Sequence, residues 1–179
     1  MQIQPEFVYP AAASLCALVA CVFDVKSRRV PNFLTLPAIL FGLLLHLTRD
    51  GWQQLLTSAL AGLICGVVFL VFYLAGGMGA GDVKLITAVG CIAGLSNIGY
   101  VLALTAIAGG VMAIGLAALR GRLKETLFNV GALARHHSQS GLTPHPEFNV
   151  LNTNTLRLPY ALAIAAGCTL TLYFQVGQR

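Results

Sequence analysis

Residues 76–85 read GGMGAGDVKL. Four glycines fall within six positions, at Gly76, Gly77, Gly79 and Gly81, and a carboxylate and an ammonium follow at Asp82 and Lys84. Apolar sequence lies on both sides, at 54–75 and 83–96, so the run marks the joint between two membrane spans. Where that joint falls decides how often the chain crosses a bilayer and which charges share a membrane edge.

The rest of the chain reads the same way. Charged residues make up 9% of it against roughly 25% in soluble domains. Apolar residues reach 57%, and the mean hydropathy is +0.79. Apolar spans are expected at about 7–23, 33–48, 54–75, 83–96, 99–119 and 159–176. The expected fold is all-α: a single polytopic membrane domain over 1–179, with about six transmembrane helices and the N-terminus outside. Met1–Phe7 carries no basic residue and no small-residue cleavage site follows the first apolar run, so that run is expected to stay as a span.

The fourth and fifth spans are nearly continuous, separated only by LSNIGY at 95–100, where Ser96, Asn97 and Gly99 supply a turn. Charge supports the split. With six spans, one side receives Lys26, Arg28, Arg29, Lys84, Arg120, Arg122, Lys124, Arg135 and Arg157, and the other only Arg49 and Arg179. Nine basic residues against two make the first side cytoplasmic. Merging the two spans would move the basic stretch from Arg120 to Arg157 outside and destroy the asymmetry. The net charge of +5 therefore belongs to span flanks and lipid headgroups, and nucleic acid is not an expected partner.

The sizeable polar segment, about 120–158, is a cytoplasmic loop on this topology. Leu123, Leu127, Val130 and Ala134 recur at helical spacing among Arg122, Lys124 and Arg135, so its first half is expected on the membrane surface. Its second half is rich in turn formers. His136, His137 and His145 have no cysteine or acidic cluster at ligand spacing, so no metal is expected. Cys16, Cys21, Cys65, Cys91 and Cys168 are scattered through apolar stretches without a CxxC pair and read as small buried hydrophobes.

Six acids can each be placed. Glu6 and Asp50 lie outside near span ends, and Glu125 and Glu147 are solvated loop charges. Asp24 closes the first span and Asp82 opens the fourth, which puts both at the cytoplasmic edge. Asp82 to Ser96 covers about 22 Å, short of the roughly 30 Å hydrocarbon core. Either the fourth helix is recessed, with Asp82 in a water-filled hollow, or it runs on past Asn97. An ionisable group at such depth is a functional-site hypothesis by default.

The glycines admit two readings. Glycine permits φ > 0 and leaves room for another backbone, which suits an extended peptide lying beside Asp82; a plain hinge between helices is the simpler alternative. A phosphate loop is excluded, because the Gly-Lys-Ser/Thr ending and the preceding strand are missing. The other edge segment, FDVKSRRVPNFLT at 23–35, offers Pro31-Asn32 as a helix start with Asn32 as N-cap, and Lys26, Arg28 and Arg29 as headgroup anchors. Neither role explains Asp24.

Two aspartates at one membrane edge suggest paired-carboxylate chemistry. Close carboxylates cannot both ionise, so one can act as general base on water while the protonated partner polarises a peptide carbonyl. No Ser/His or Cys/His set competes. A proton-coupled transporter fits less well, since neither an internal repeat nor a midplane acid is visible. A non-catalytic membrane subunit of a pilus or secretion assembly, with both acids serving helix packing, remains the alternative.

With these residues in place, the chain resembles the prepilin peptidases, GxGD-type aspartic proteases of bacterial membranes, and most closely the short form associated with Tad/Cpa (Flp-type) pili. Gly79-Ala80-Gly81-Asp82 stands as GxGD and continues as Val83-Lys84-Leu85. Asp24 with Arg28, Arg29, Val30, Pro31 and Asn32 is similar to the family's first-aspartate motif. LPYALAIAAG, 158–167, is similar to a segment that opens the family's last span. The resemblance implies that Asp24 and Asp82 are the catalytic pair and need no cofactor. It implies removal of basic leaders from prepilins or pseudopilins at the cytoplasmic face of the inner membrane, beside pilus assembly machinery. Larger family members carry paired CxxC motifs linked to N-methylation; with none here, methyl transfer is not implied.

Overall fold

The computed structural model describes residues 5–27, 30–141 and 159–177. Among the described residues seven helices run in order: α1 Pro5–Ser27, α2 Asn32–Asp50, α3 Trp52–Leu74, α4 Ala80–Ala93, α5 Ile98–Leu119, α6 Leu123–Ser140 and α7 Tyr160–Gly177. The described residues are all helix and connection, so the chain is an all-α polytopic membrane protein. Five helices, α1, α2, α3, α5 and α7, are long and apolar enough to cross a membrane. The expected fourth span is the exception. It has 14 residues, about 21 Å, too short to cross a roughly 30 Å core unaided.

That short helix is the centre of the molecule. It packs against α1, α2 and α3 and touches α7, while α7 also packs against α1 and α5. Leu85, Ile86 and the whole run from Ala88 to Ala93 are buried. Lipid is as apolar as leucine, so close packing rather than hydrophobicity must hold such a helix in place. The sequence supplies small residues where the backbones meet. A Cβ on Gly42 of α2 would stand 2.8 Å from the Cys91 carbonyl carbon, and one on Gly90 of α4 would stand 2.9 Å from the Ala61 oxygen of α3. On the other side of the bundle, a Cβ on Gly167 of α7 would come within 2.7 Å of the Thr105 nitrogen of α5.

The fourth helix differs from its expected range of 83–96 at both ends. It begins at Ala80 and stops at Ala93, so it does not run on past Asn97. Gly94 ends it with φ 76°, a left-handed conformation that glycine adopts without a Cβ penalty. The turn to α5 thus begins before Ser96, and the two spans are separate helices. The far end of α4 is the recessed one: Ile92, Ala93 and Gly94 are buried, and Gly94 lies against His46, four residues or about 6 Å before α2 ends. A helix that stops inside the bundle leaves carbonyls which must be satisfied there. Gly94 N–H takes the Gly90 oxygen at 3.0 Å. Ser58 donates to the Cys91 oxygen at 2.6 Å, and Asn97 Nδ2 to the Ala93 oxygen at 2.7 Å. His46 Nε2 sits 3.2 Å from the Ile92 oxygen and donates to it in the tautomer that is protonated there.

More polar contacts close this end. The Tyr9 ring stacks on His46 at 4.2 Å and 9°, its hydroxyl donates to Asp50, and Gln175 Nε2 donates to Asn97. The start of α1, the end of α2, the starts of α3 and α5 and the end of α7 therefore meet here. The opposite ends of the helices meet at the other pole.

Beyond α5 the chain forms α6, with Phe128 and Val130 exposed; the helix runs on through 136–140, where the turn formers of 136–155 suggested irregular chain, and the rest of that stretch, including His145 and Glu147, lies outside the described residues. Cys21, Cys65, Cys91 and Cys168 are buried and Cys16 is half-buried.

Candidate active site

Asp24 and Asp82 come together at the pole opposite His46. Asp24 lies in the last turn of α1, which continues to Ser27, four residues past the expected apolar boundary. Asp82 is the third residue of α4. The two carboxylates, from helices far apart in sequence, lie within electrostatic reach of one another. Each also rests against a helix N-terminus. Asp82 Oδ2 accepts the Gly79 N–H at 3.3 Å, the acidic half of a capping box. Asp24 accepts the backbone N–H of Ala161, in the first turn of α7. Unsatisfied first-turn donors carry partial positive charge, which favours an anion at both places.

The glycine run proves specific in a different way from the one its composition suggests. Gly76 has φ 77° and makes the turn out of α3, where Gly77 N–H donates to the Phe72 oxygen at 2.9 Å. Gly79, by contrast, is extended with φ −86°, and Gly81 is already inside α4. Left-handed backbone is thus not what Gly79 and Gly81 provide. What Gly81 provides is room: an added Cβ would meet the Val30 backbone nitrogen and Cβ at 3.4 Å. The backbone that approaches Gly81 is the chain's own α1–α2 connection. This contact seats the Asp24 segment on the start of α4.

Pro31 rather than Asn32 is the N-cap of α2, with φ −75° and ψ 144°, and its carbonyl accepts Leu34 N–H at 3.1 Å. The expectation of an Asn32 cap is corrected: Asn32 is the first helical residue, and its side chain is engaged elsewhere. Lys84 Nζ donates to Asn32 Oδ1 at 2.9 Å, which ties the two motifs together across α2 and α4. Lys26 is exposed in the last turn of α1; Arg28 and Arg29 lie outside the described residues.

Two participants, Tyr160 and Ala161, were not singled out from sequence, and Val30 was named only as part of a motif, without a role. Tyr160 opens α7, is half-buried against the apolar core, and lies within electrostatic reach of Asp82. All three sit inside quoted motif segments. Ala161 acts through its backbone, however, and Val30 through its place on Gly81, so neither carries a chemical signature of its own.

Two carboxylates in mutual reach at the ends of three helices offer an arrangement in which one can act as base and the other as acid. The sequence model of the type IV leader peptidase family matches residues 11–114, more than half of the chain, and this chain belongs to that family. It is similar to the "Prepilin leader peptidase/N-methyltransferase" of Burkholderia pseudomallei strains 1026b and K96243, at 36% identity over 125 residues. It is also similar to the protein of that name from Neisseria gonorrhoeae, at 32% identity over 114 residues. The matches cover 64% and 59% of this chain but 39% of each relative. The chain therefore spans about two fifths of the length of the curated relatives it matches. No solved structure matches.

Proposed function

We propose that this protein is an aspartic endopeptidase that removes the leader peptide of type IV prepilins, Flp-type prepilins or pseudopilins among them. Asp24 and Asp82 are its catalytic pair. One observation carries the reading: two acids from separate helices are brought into electrostatic reach in a chain that otherwise avoids charge. Like charges so placed repel, and a shared proton relieves the repulsion. The ionised member takes a proton from water, whose oxygen bonds to the scissile carbonyl carbon. The protonated member donates to the carbonyl oxygen. Collapse of the tetrahedral intermediate breaks the C–N bond, and the proton passes to the leaving amine.

The remaining residues serve this pair. Gly79 and Gly81 let the start of α4 carry Asp82 against the α1–α2 connection, and Lys84, Pro31 and Asn32 hold that connection on α2. Lys26, Arg28 and Arg29 flank Asp24, where anionic headgroups and the leader segment meet. The charge asymmetry supports an active site facing the cytoplasm in the bacterial inner membrane.

The capping contacts favour a second reading, in which both acids only secure helix ends in a non-catalytic pilus or secretion subunit. It leaves unexplained why two anionic caps should face each other. Co-expression with an Flp-type prepilin separates the readings. The proposal expects a shortened pilin whose new N-terminus lies just after the leader. An intact precursor at normal levels of membrane-inserted protein would leave only the subunit reading.

A further inference from the structure

The opening turn of α7 is not used up by the two aspartates. Pro159 precedes the helix, its carbonyl accepts Leu162 N–H at 3.0 Å, and Tyr160 and Ala161 follow as the first helical residues. Ala161 N–H is committed to Asp24, so this turn is fastened to one half of the acid pair. Tyr160 lies within electrostatic reach of Asp82, the other half, on a helix that touches α4. Its ring packs on the apolar core, which fixes the side chain, yet its hydroxyl makes no hydrogen bond with any described residue. A phenol near Asp82 that is not bonded to it is no brace. Its donor is left available in the one place where a third molecule must bind.

We propose that the Tyr160 hydroxyl binds the substrate, donating a hydrogen bond to the carbonyl oxygen of the scissile peptide as negative charge develops there. The inference rests on the two-aspartate reading and extends it to a third residue. A neutral phenol suits the task because it donates without adding a charge between two acids. Tyr160, Ala161 and Asp24 share one rigid turn, so the donor is aimed before the substrate arrives, and such preorganised donors act strongly on developing charge. The simpler role for this tyrosine is an amphipathic anchor at the membrane interface. An anchor needs the ring and a polar atom. A donor needs the hydroxyl at one place.

The test compares wild type, Tyr160→Phe, Tyr160→Trp and, as control, Asp82→Asn. All are purified in detergent with an Flp-type prepilin as substrate, and kcat, KM and the unfolding midpoint are measured. Tyr160→Phe is expected to lose about 100-fold in kcat with little change in KM, the size seen when one oxyanion donor is removed. Its unfolding midpoint should not move, and Tyr160→Trp, a good interface anchor, should be no better. Near wild-type kcat in Tyr160→Phe, with none in Asp82→Asn, would overturn the role of Tyr160 and leave the acid pair standing. A kcat loss matched by loss of folded protein would overturn it too, in favour of the anchor. Cleavage by Asp82→Asn would overturn both readings.

Discussion

Gly81 carries a hydrogen where any other residue would place a carbon 3.4 Å from the backbone of Val30. That spacing grades the effect of substitution. Alanine fits at ordinary contact distance and should leave leader processing close to wild type. Gly81→Val adds branches that push the α1–α2 connection off α4 and carry Asp24 from Asp82. Processing should fall by about 100-fold, the cost of an ångström of misplacement, while the protein still inserts. A time course of precursor loss in membranes of the two variants checks this, and full activity in Gly81→Val would return the run to a plain hinge. Sequence showed that the run was special and that both aspartates belonged to one edge. It did not show the partner: a glycine that admits its own chain looks the same in sequence as one that admits a ligand. Asn32 misled for a similar reason. Its side chain is a good cap in isolation, but Pro31 occupies the capping position and Lys84 claims the amide.

Among the elements, α4 sets the problem that the others solve. Its 14 residues start beside the α1–α2 connection and stop inside the bundle. Ser58, His46 and Asn97 then satisfy the three carbonyls that Gly94 does not. Each came from a different part of the sequence, and none carried a signal that it would meet a carbonyl of α4. The expected boundary at Ser96 erred because the turn signal at Ser96, Asn97 and Gly99 outweighed Gly94, a lone glycine inside an apolar run. Ser58→Ala leaves the Cys91 carbonyl unpaired in a buried place and should destabilise the protein by about 1 kcal/mol. Denaturant unfolding in micelles reads this directly. Processing by the folded fraction should not change, because the contact lies at the pole away from the aspartates. A loss of activity without loss of stability would mean that this end takes part in the reaction.

For the whole molecule, charge and topology act together. Among the described residues apolar length identifies five helices able to cross, and α4, too short to cross unaided, is buried among them. Lys26 and Lys84, two of the basic residues on which the expected alternation rests, lie at the pole of Asp24 and Asp82. A reporter fused near Ser138 should be cytoplasmic and one near Asp50 periplasmic, and the reverse at either site would contradict the shared cytoplasmic edge. The depth of the pair was not legible, since it depends on which end of α4 is recessed. Catalysis by this pair requires the two acids to act as one unit, and a double-mutant cycle tests that most directly. Asn keeps the size of Asp and can still accept the Ala161 or Gly79 N–H through its amide oxygen, but it can be neither base nor acid. Precursor processing is measured for Asp24→Asn, Asp82→Asn and the double variant at matched protein levels, with Glu125→Gln and Glu147→Gln as controls. Each single variant should stop cleavage, the double should be no worse than either single, and the controls should process normally, as residues acting together are strongly non-additive. Near wild-type cleavage by either aspartate variant would contradict the catalytic pair and leave two carboxylates that only cap helices.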